Sequence, residues 1–278
     1  MPEGDTIFRS ARTLDRALGG RVVTSFETVF PSLDRVHQDA PITGRVVERS
    51  WSLGKHLLIA LSGDLVLRTH MRMNGSWHVY RPGERWQRPR IDMRVAIGTD
   101  AFVAVAFNIQ VAEWVDGARL DRVRALATLG PDLLGTEFDL PDALARLRQR
   151  DAMTIGDALL DQRAIAGVGN VYKSEVCFLC GVSPFAAVAS LDDDALGRLV
   201  GTARTLLQAN VLDGSPGAII TYRGLRRTTH RSDPEERLWV YGRAGRPCRR
   251  CGTPIRMVKQ GDAARVTYFC ERCQGAGS

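Results

Sequence analysis

The sequence predicts an α+β chain in two parts, and three observations lead there. Ile7, Ala11, Leu14 and Leu18 recur at helical spacing. From Val22 to about Val115 the apolar residues come in short strand-like runs. From Leu140 to Gln208 the chain is rich in Ala, Leu, Arg and Asp with helical periodicity.

Each element follows in order. The first periodic stretch closes on Gly19-Gly20, so residues 4–18 read as an amphipathic helix with Pro2 and Glu3 at its N-terminal end. The runs His56 to Leu61, Leu65 to Leu67, Met93 to Ile97 and Phe102 to Phe107 alternate or bury like strands. Turns are expected at Gly63-Asp64, Asn74-Gly75 and Pro82-Gly83. Strand character ends around Leu129-Gly130-Pro131-Asp132, which places a boundary within residues 118–132. A helical region follows, and then a basic segment, 211–247.

Four of the six cysteines stand as Cys248-x2-Cys251 and Cys270-x2-Cys273. Each pair aims two thiolates at one tetrahedral ion, and residues 252–269 are long enough for a β-hairpin that returns the chain. One structural zinc ion is expected, because four sulfurs leave no open position for catalysis. Cys177 and Cys180 have no second pair to complete a site and read as buried small hydrophobes.

At 278 residues, 44% hydrophobic and 25% charged, the chain can bury a sizeable core. The longest apolar run, Ala101 to Phe107, is far too short to span a bilayer, and the N-terminus has no apolar stretch of signal length. The expectation is therefore an intracellular protein with no membrane partner. The formal charge of +7 is concentrated: residues 223–272 hold twelve Arg and one Lys against five acids, leaving the rest of the chain near neutral. That is the footprint of a phosphate-binding surface, although a solvated basic face or an anionic-membrane patch has the same composition.

Several residues can carry chemistry, and each also has a plain structural reading. Pro2 permits removal of Met1, and Glu3 offsets a helix dipole. With Met1 removed, Pro2 presents a secondary amine at the positive end of a helix, which favours the nucleophilic free base, and Glu3 is placed to move protons. Lys55, which begins a strand after a turn, is either solvated or able to reach a phosphate or sugar oxygen. Gly167-Val168-Gly169-Asn170 is either a plain turn and cap or the start of a helix whose free N–H groups bind phosphate. Met71, Arg72 and Met73 precede a turn where a wedge could fill the gap left by a displaced base, or where a methionine simply packs in the core.

Taken together and in this order, these segments resemble the formamidopyrimidine-DNA glycosylase and endonuclease VIII family over essentially the whole length. Met1-Pro2-Glu3-Gly4 resembles its N-terminal nucleophile motif, Gly54-Lys55 its catalytic β-hairpin lysine, and Gly167-Val168-Gly169-Asn170-Val171-Tyr172 its helix-two-turn-helix clamp. Val240-Tyr241-Gly242-Arg243 and Cys248 to Gln274 resemble its zinc-finger region, with Arg265 at the hairpin tip. The resemblance implies an N-terminal helix and β-sandwich domain over 1–118, a linker over 119–132, a helix-two-turn-helix domain over 133–240 and a zinc finger over 241–278. It implies base excision repair on damaged double-stranded DNA. Pro2 would displace an oxidised base and form a Schiff base that is resolved by β/δ-elimination, with Glu3 handling protons. Lys55, Asn170 and Arg265 would hold phosphates, and Met73 would fill the void.

Two departures refine this. Members acting on oxidised guanine usually carry Arg-Arg-Phe-Gly where this chain has Phe107-Asn108-Ile109-Gln110, which favours the endonuclease VIII branch and oxidised pyrimidines. Asp5-Thr6 stands where many members have Pro-Glu, which points toward abasic-site cleavage over base removal. The competing expectations are a non-catalytic or abasic-site-only damaged-DNA-binding protein and, on weaker grounds, an RNA-binding zinc protein, which the sparse aromatic residues do not favour.

Overall fold

The computed structural model describes residues 2–212, 226–229 and 236–275, and the chain divides into two compact units between Thr128 and Leu129. Parts of the basic segment 211–247, and Met1, lie outside the described residues.

The first unit opens with helix α1 (Gly4–Leu18), whose Ile7, Ala11, Leu14 and Leu18 form one buried stripe. Eight strands follow: β1 (Ser25–Thr28), β2 (Val47–Leu53), β3 (His56–Leu61), β4 (Leu65–His70), β5 (Ser76–Tyr80), β6 (Met93–Gly98), β7 (Val103–Phe107) and β8 (Val111–Asp116). They make two antiparallel four-stranded sheets, ordered β1-β6-β7-β5 and β2-β3-β4-β8, which sandwich one core. Alternation along the strands sends Leu57, Ile59, Leu61 and Leu67 from one sheet, and Val95, Ile97, Ala104 and Ala106 from the other, into contact with the α1 stripe. Each such leucine or isoleucine contributes about 1.5–3 kcal/mol by leaving water.

A second helix, α2 (Pro31–Asp39), interrupts what the sequence reads as continuous strand-like territory. Its only buried residue is Leu33, so it has almost no apolar stripe for periodicity to detect. The usable signal was Pro31 at its first turn.

The second unit contains α4 (Leu140–Arg148), the single turn α5 (Ile155–Ala158), α6 (Asn170–Leu179) and α7 (Asp193–Leu212), after the short α3 (Arg124–Ala127) that closes the first unit. Leu147, Ile155, Leu159, Tyr172, Val176, Leu196, Leu199 and Leu207 fill its core. The hairpin β9 (Arg256–Gln260) and β10 (Arg265–Phe269), followed by the turn α8 (Glu271–Gln274), has its own small core with Phe178, Val240 and Ile255.

Candidate active site

In the first unit Glu3 is the N-cap of α1, its backbone extended (φ −126°, ψ −175°), and Pro2 precedes it. Both side chains are buried. The Glu3 carbonyl accepts the first helical hydrogen bond, from the Ile7 N–H at 3.0 Å. Asp5, also fully buried, lies 3.6 Å from the Arg9 guanidinium one turn on. Two carboxylates therefore stand at the positive end of the helix beside Pro2.

Three separate segments converge on that end. The Ser50 N–H donates to Asp15 Oδ1 at 2.6 Å and the Gly20 N–H to the Val47 carbonyl at 2.8 Å, so α1 runs antiparallel to β2. The strand from Ser50 to Leu53 covers about 10 Å, which matches roughly seven helical residues, from Asp15 back to Phe8, and the hairpin turn extends beyond it. The Gly54-Lys55 turn, with Gly54 in the left-handed region at φ +56°, thus lies level with the start of α1. His56, the first residue after it, pairs directly with His70, the last residue of β4, so the turn holding Met73 is at the same edge of the sheet. Met73 itself is half-exposed, while Met71 is buried in the core.

In the second unit Asn170 opens α6, with Gly169 as N-cap. Its Nδ2 donates to the Val266 carbonyl at 2.7 Å. Its Oδ1 is buried and has no hydrogen-bond partner among the described residues. Val266 follows Arg265, which is exposed at the start of β10, so one hydrogen bond draws the two predicted phosphate ligands of this unit together.

Two buried charges beside them escaped the sequence reading. Lys173 is fully buried, its Nζ donating to Thr267 Oγ1 at 2.5 Å and to the Val266 carbonyl at 3.4 Å. Thr267 Oγ1 donates in turn to Gln260 Oε1 at 2.7 Å, and Gln260 Nε2 donates to Thr154 Oγ1 and the Pro184 carbonyl, both at 2.8 Å. Glu175, two residues on, accepts the N–H groups of Trp239, Val240 and Tyr241 at 2.8, 2.8 and 2.9 Å and the Thr228 hydroxyl. Burial pushes its carboxyl above the usual range and the four donors oppose that shift. Nothing local in the sequence marks either residue, since a lysine or glutamate in a helix is ordinarily solvated.

The four finger cysteines place their sulfurs within 4.8 Å of one another, with Cys248 Sγ 3.8 Å from Cys273 Sγ and Cys251 Sγ 3.4 Å from Cys270 Sγ. Tetrahedral Zn–S bonds of about 2.3 Å require sulfurs about 3.8 Å apart, so the set fits one zinc ion with no position left open. The Arg250 N–H donates to Cys248 Sγ at 3.4 Å, as expected of a thiolate turn. Cys177 is buried and Cys180 half-buried. Burial raises both thiols, Cys177 to about 12.

Comparison with known proteins agrees with this architecture. Residues 1–124 match the formamidopyrimidine-DNA glycosylase N-terminal domain, residues 129–220 its H2TH domain, and residues 245–275 a zinc finger found in FPG and IleRS. A Streptomyces coelicolor protein named probable endonuclease 8 2 is 44% identical over 277 residues, covering 99% of this chain and 94% of that protein. A Mycolicibacterium smegmatis protein named DNA-(apurinic or apyrimidinic site) lyase Nei2 is 38% identical, covering 99% and 100%. The fold matches that of the Lactococcus lactis Fpg crystallised with DNA containing N7-benzyl-Fapy-dG, with a TM-score of 0.81 at 22% identity over 99% of this chain and 100% of that one. With all three domains matched and such relatives aligned end to end, this chain belongs to the formamidopyrimidine-DNA glycosylase and endonuclease VIII family, on its endonuclease VIII side.

Proposed function

We propose that this chain is a bifunctional DNA glycosylase and abasic-site lyase of base excision repair. It acts as a cytoplasmic, nucleoid-associated monomer on oxidised bases, pyrimidines first, in double-stranded DNA. The observation that carries this reading is the start of α1, where Pro2 and Glu3 are buried at the positive end of the helix, level with the Lys55 turn. The helix field disfavours an ammonium there and so favours the free amine of an unblocked Pro2.

In this mechanism the Pro2 nitrogen bonds to the sugar's anomeric carbon as the base leaves with the bonding pair, and Glu3 supplies and recovers the protons. Ring opening gives an iminium, which acidifies the neighbouring carbon. Successive eliminations then expel the two flanking phosphates, and water releases Pro2. Lys55, Asn170 and Arg265 hold the phosphates, while Met73 fills the space of the everted base. The zinc ion, when bound, cross-links the finger that carries Arg265. The cysteines Cys248, Cys251, Cys270 and Cys273 are its ligands.

A second reading, a lyase restricted to preformed abasic sites, is favoured by Asp5-Thr6 and by the name of the M. smegmatis relative. Borohydride trapping on duplexes carrying either thymine glycol or an abasic site separates the two. Native protein should be trapped on both, and Pro2→Gly or an N-terminally blocked form should lose the native adduct. Trapping on the abasic duplex alone selects the second reading. No adduct on either, with tight and salt-sensitive binding, would leave a non-catalytic damage-binding protein.

A further inference from the structure

The finger hairpin carries Arg265 at its tip, and both strands of the tip are fastened to the helices of the second unit. Gln260, the last residue of β9, stands directly opposite Arg265, so their side chains leave the ribbon on one face. Thr267, two residues after Arg265, lies on that face as well. Gln260 and Thr267 are buried, whereas Arg265 is exposed. The fit around the tip is close. A Cβ on Gly156 would lie 2.8 Å from Gln260 Nε2, and one on Gly261 would lie 2.5 Å from Asp157 Oδ1. An alanine at either position would have to displace the side chains that fasten the hairpin.

Those side chains form one continuous chain, and the types of group in it fix its direction. The Pro184 carbonyl can only accept, so the atom that bonds it at 2.8 Å is the Gln260 amide nitrogen, and Gln260 Oε1 faces Thr267. Thr267 Oγ1 must then donate its single hydrogen to Oε1, at 2.7 Å, and accept from Lys173 Nζ, at 2.5 Å. On the other side Gln260 Nε2 donates to Thr154 Oγ1 at 2.8 Å, and the Thr154 hydroxyl donates to Asp157 Oδ2 at 2.8 Å. Every bond runs the same way, from the lysine through an alcohol, an amide and a second alcohol to the carboxylate. Hydrogen bonds aligned head to tail polarise and strengthen one another.

The chain begins where the two predicted phosphate ligands meet. Lys173 Nζ also donates at 3.4 Å to the Val266 carbonyl, the oxygen that accepts from Asn170 Nδ2 at 2.7 Å. Val266 follows Arg265, so any slip of the tip along α6 changes the spacing between Arg265 and Asn170. The Asn170 Oδ1, buried and without a hydrogen-bond partner among the described residues, gives no second link to prevent that slip.

We propose that Lys173, Thr267, Gln260, Thr154 and Asp157 form a polarised hydrogen-bond chain that holds the hairpin tip in register with α6, so that Arg265 and Asn170 grip DNA phosphate together. The chain rests on the reading of Arg265 and Asn170 as phosphate ligands. Its five members are positioning residues and act on DNA only through those two.

The test measures binding of the zinc-loaded protein, over a range of salt, to a duplex with one tetrahydrofuran abasic-site analogue, which cannot form a Schiff base. Thr267→Val keeps the shape and removes the hydroxyl, while Thr267→Ser keeps the hydroxyl and removes a methyl. Thr267→Val should bind about fivefold more weakly, and Thr267→Ser should bind like native protein. Arg265→Ala should flatten the plot of log affinity against log salt by about 0.9, the share of one phosphate contact. Its penalty should be about threefold smaller in the Thr267→Val background, because a tip already displaced has less to lose. Native-like binding by Thr267→Val, weaker binding by Thr267→Ser than by Thr267→Val, or an unchanged Arg265→Ala penalty overturns the chain. Should Thr267→Val fail to fold, Asp157→Ala at the half-buried end decides: a smaller loss with a reduced Arg265→Ala penalty supports the chain, and no change in either overturns it. Arg265→Ala without effect in native protein overturns the reading of Arg265 as a phosphate ligand, and the chain with it.

Discussion

The two units find partners for their buried polar groups in different places. In the first, the buried polar side chains of the sheets are satisfied by neighbours on the same or the adjoining strand: His56 by Arg68, Arg68 by Glu113 at 2.7 Å, and His78 by Ser76 Oγ at 3.0 Å and the Tyr80 hydroxyl at 3.1 Å. In the second, Lys173 and Glu175 are buried beneath the finger, each anchored by donors or acceptors from distant segments. In a sandwich already held by a large apolar core, strand pairing itself brings such partners side by side. A finger with a core of a few side chains needs stronger fasteners, namely a metal ion and charged hydrogen bonds.

That contrast can be broken in three places, beginning with the largest effect. Removing zinc with a chelator should unfold the finger, since metal binding in such modules supplies about 10–16 kcal/mol of folding free energy. DNA binding should vanish while the circular dichroism melt of the sandwich persists. Simultaneous loss of both units would show that the sandwich depends on the finger.

Glu175→Ala comes next. It leaves three N–H groups and a hydroxyl without their shared acceptor, at a cost of about 2–4 kcal/mol. The unfolding free energy of the second unit, read from its urea midpoint and slope, should fall by that amount, and Glu175→Gln should recover part of it. A midpoint unchanged in Glu175→Ala would mean that the segment 239–241 is held by the zinc ligands alone.

The smallest effect is the share of one histidine, His78, in the acid sensitivity of the first unit. Burial is the first cause lowering His56 to about 3 and His70 and His78 to about 4, against an ordinary 6.5. The unfolded chain therefore binds protons that the folded unit refuses. The stabilisation is complete above about pH 6.5 and is lost as pH falls toward 4. Melts of the first unit should drop across that window, and His78→Phe should flatten the decline. An equal decline in His78→Phe would assign the loss to groups other than His78.

Much of this was legible beforehand. The α1 stripe, the strand runs and the helix starting at Asn170 follow from apolar spacing and glycine placement within one segment, and the hairpin between the cysteine pairs follows from their spacing. Helix α2 was not legible, because one buried leucine makes no period. Lys173, Glu175 and the His56–His70 pair were not legible either, since each is satisfied by residues many positions away.

The sequence alone determined the local elements, the metal set and the identity of the residues that could do chemistry, because those depend on neighbours three to four positions apart and on residue type. Only the tertiary structure decided that the start of α1, the Lys55 turn and the Met73 turn share one end of a unit, and that Asn170 meets the strand following Arg265. Such meetings are set by strand register and by the different rise of helix and strand along paired segments, quantities that no short window of sequence contains.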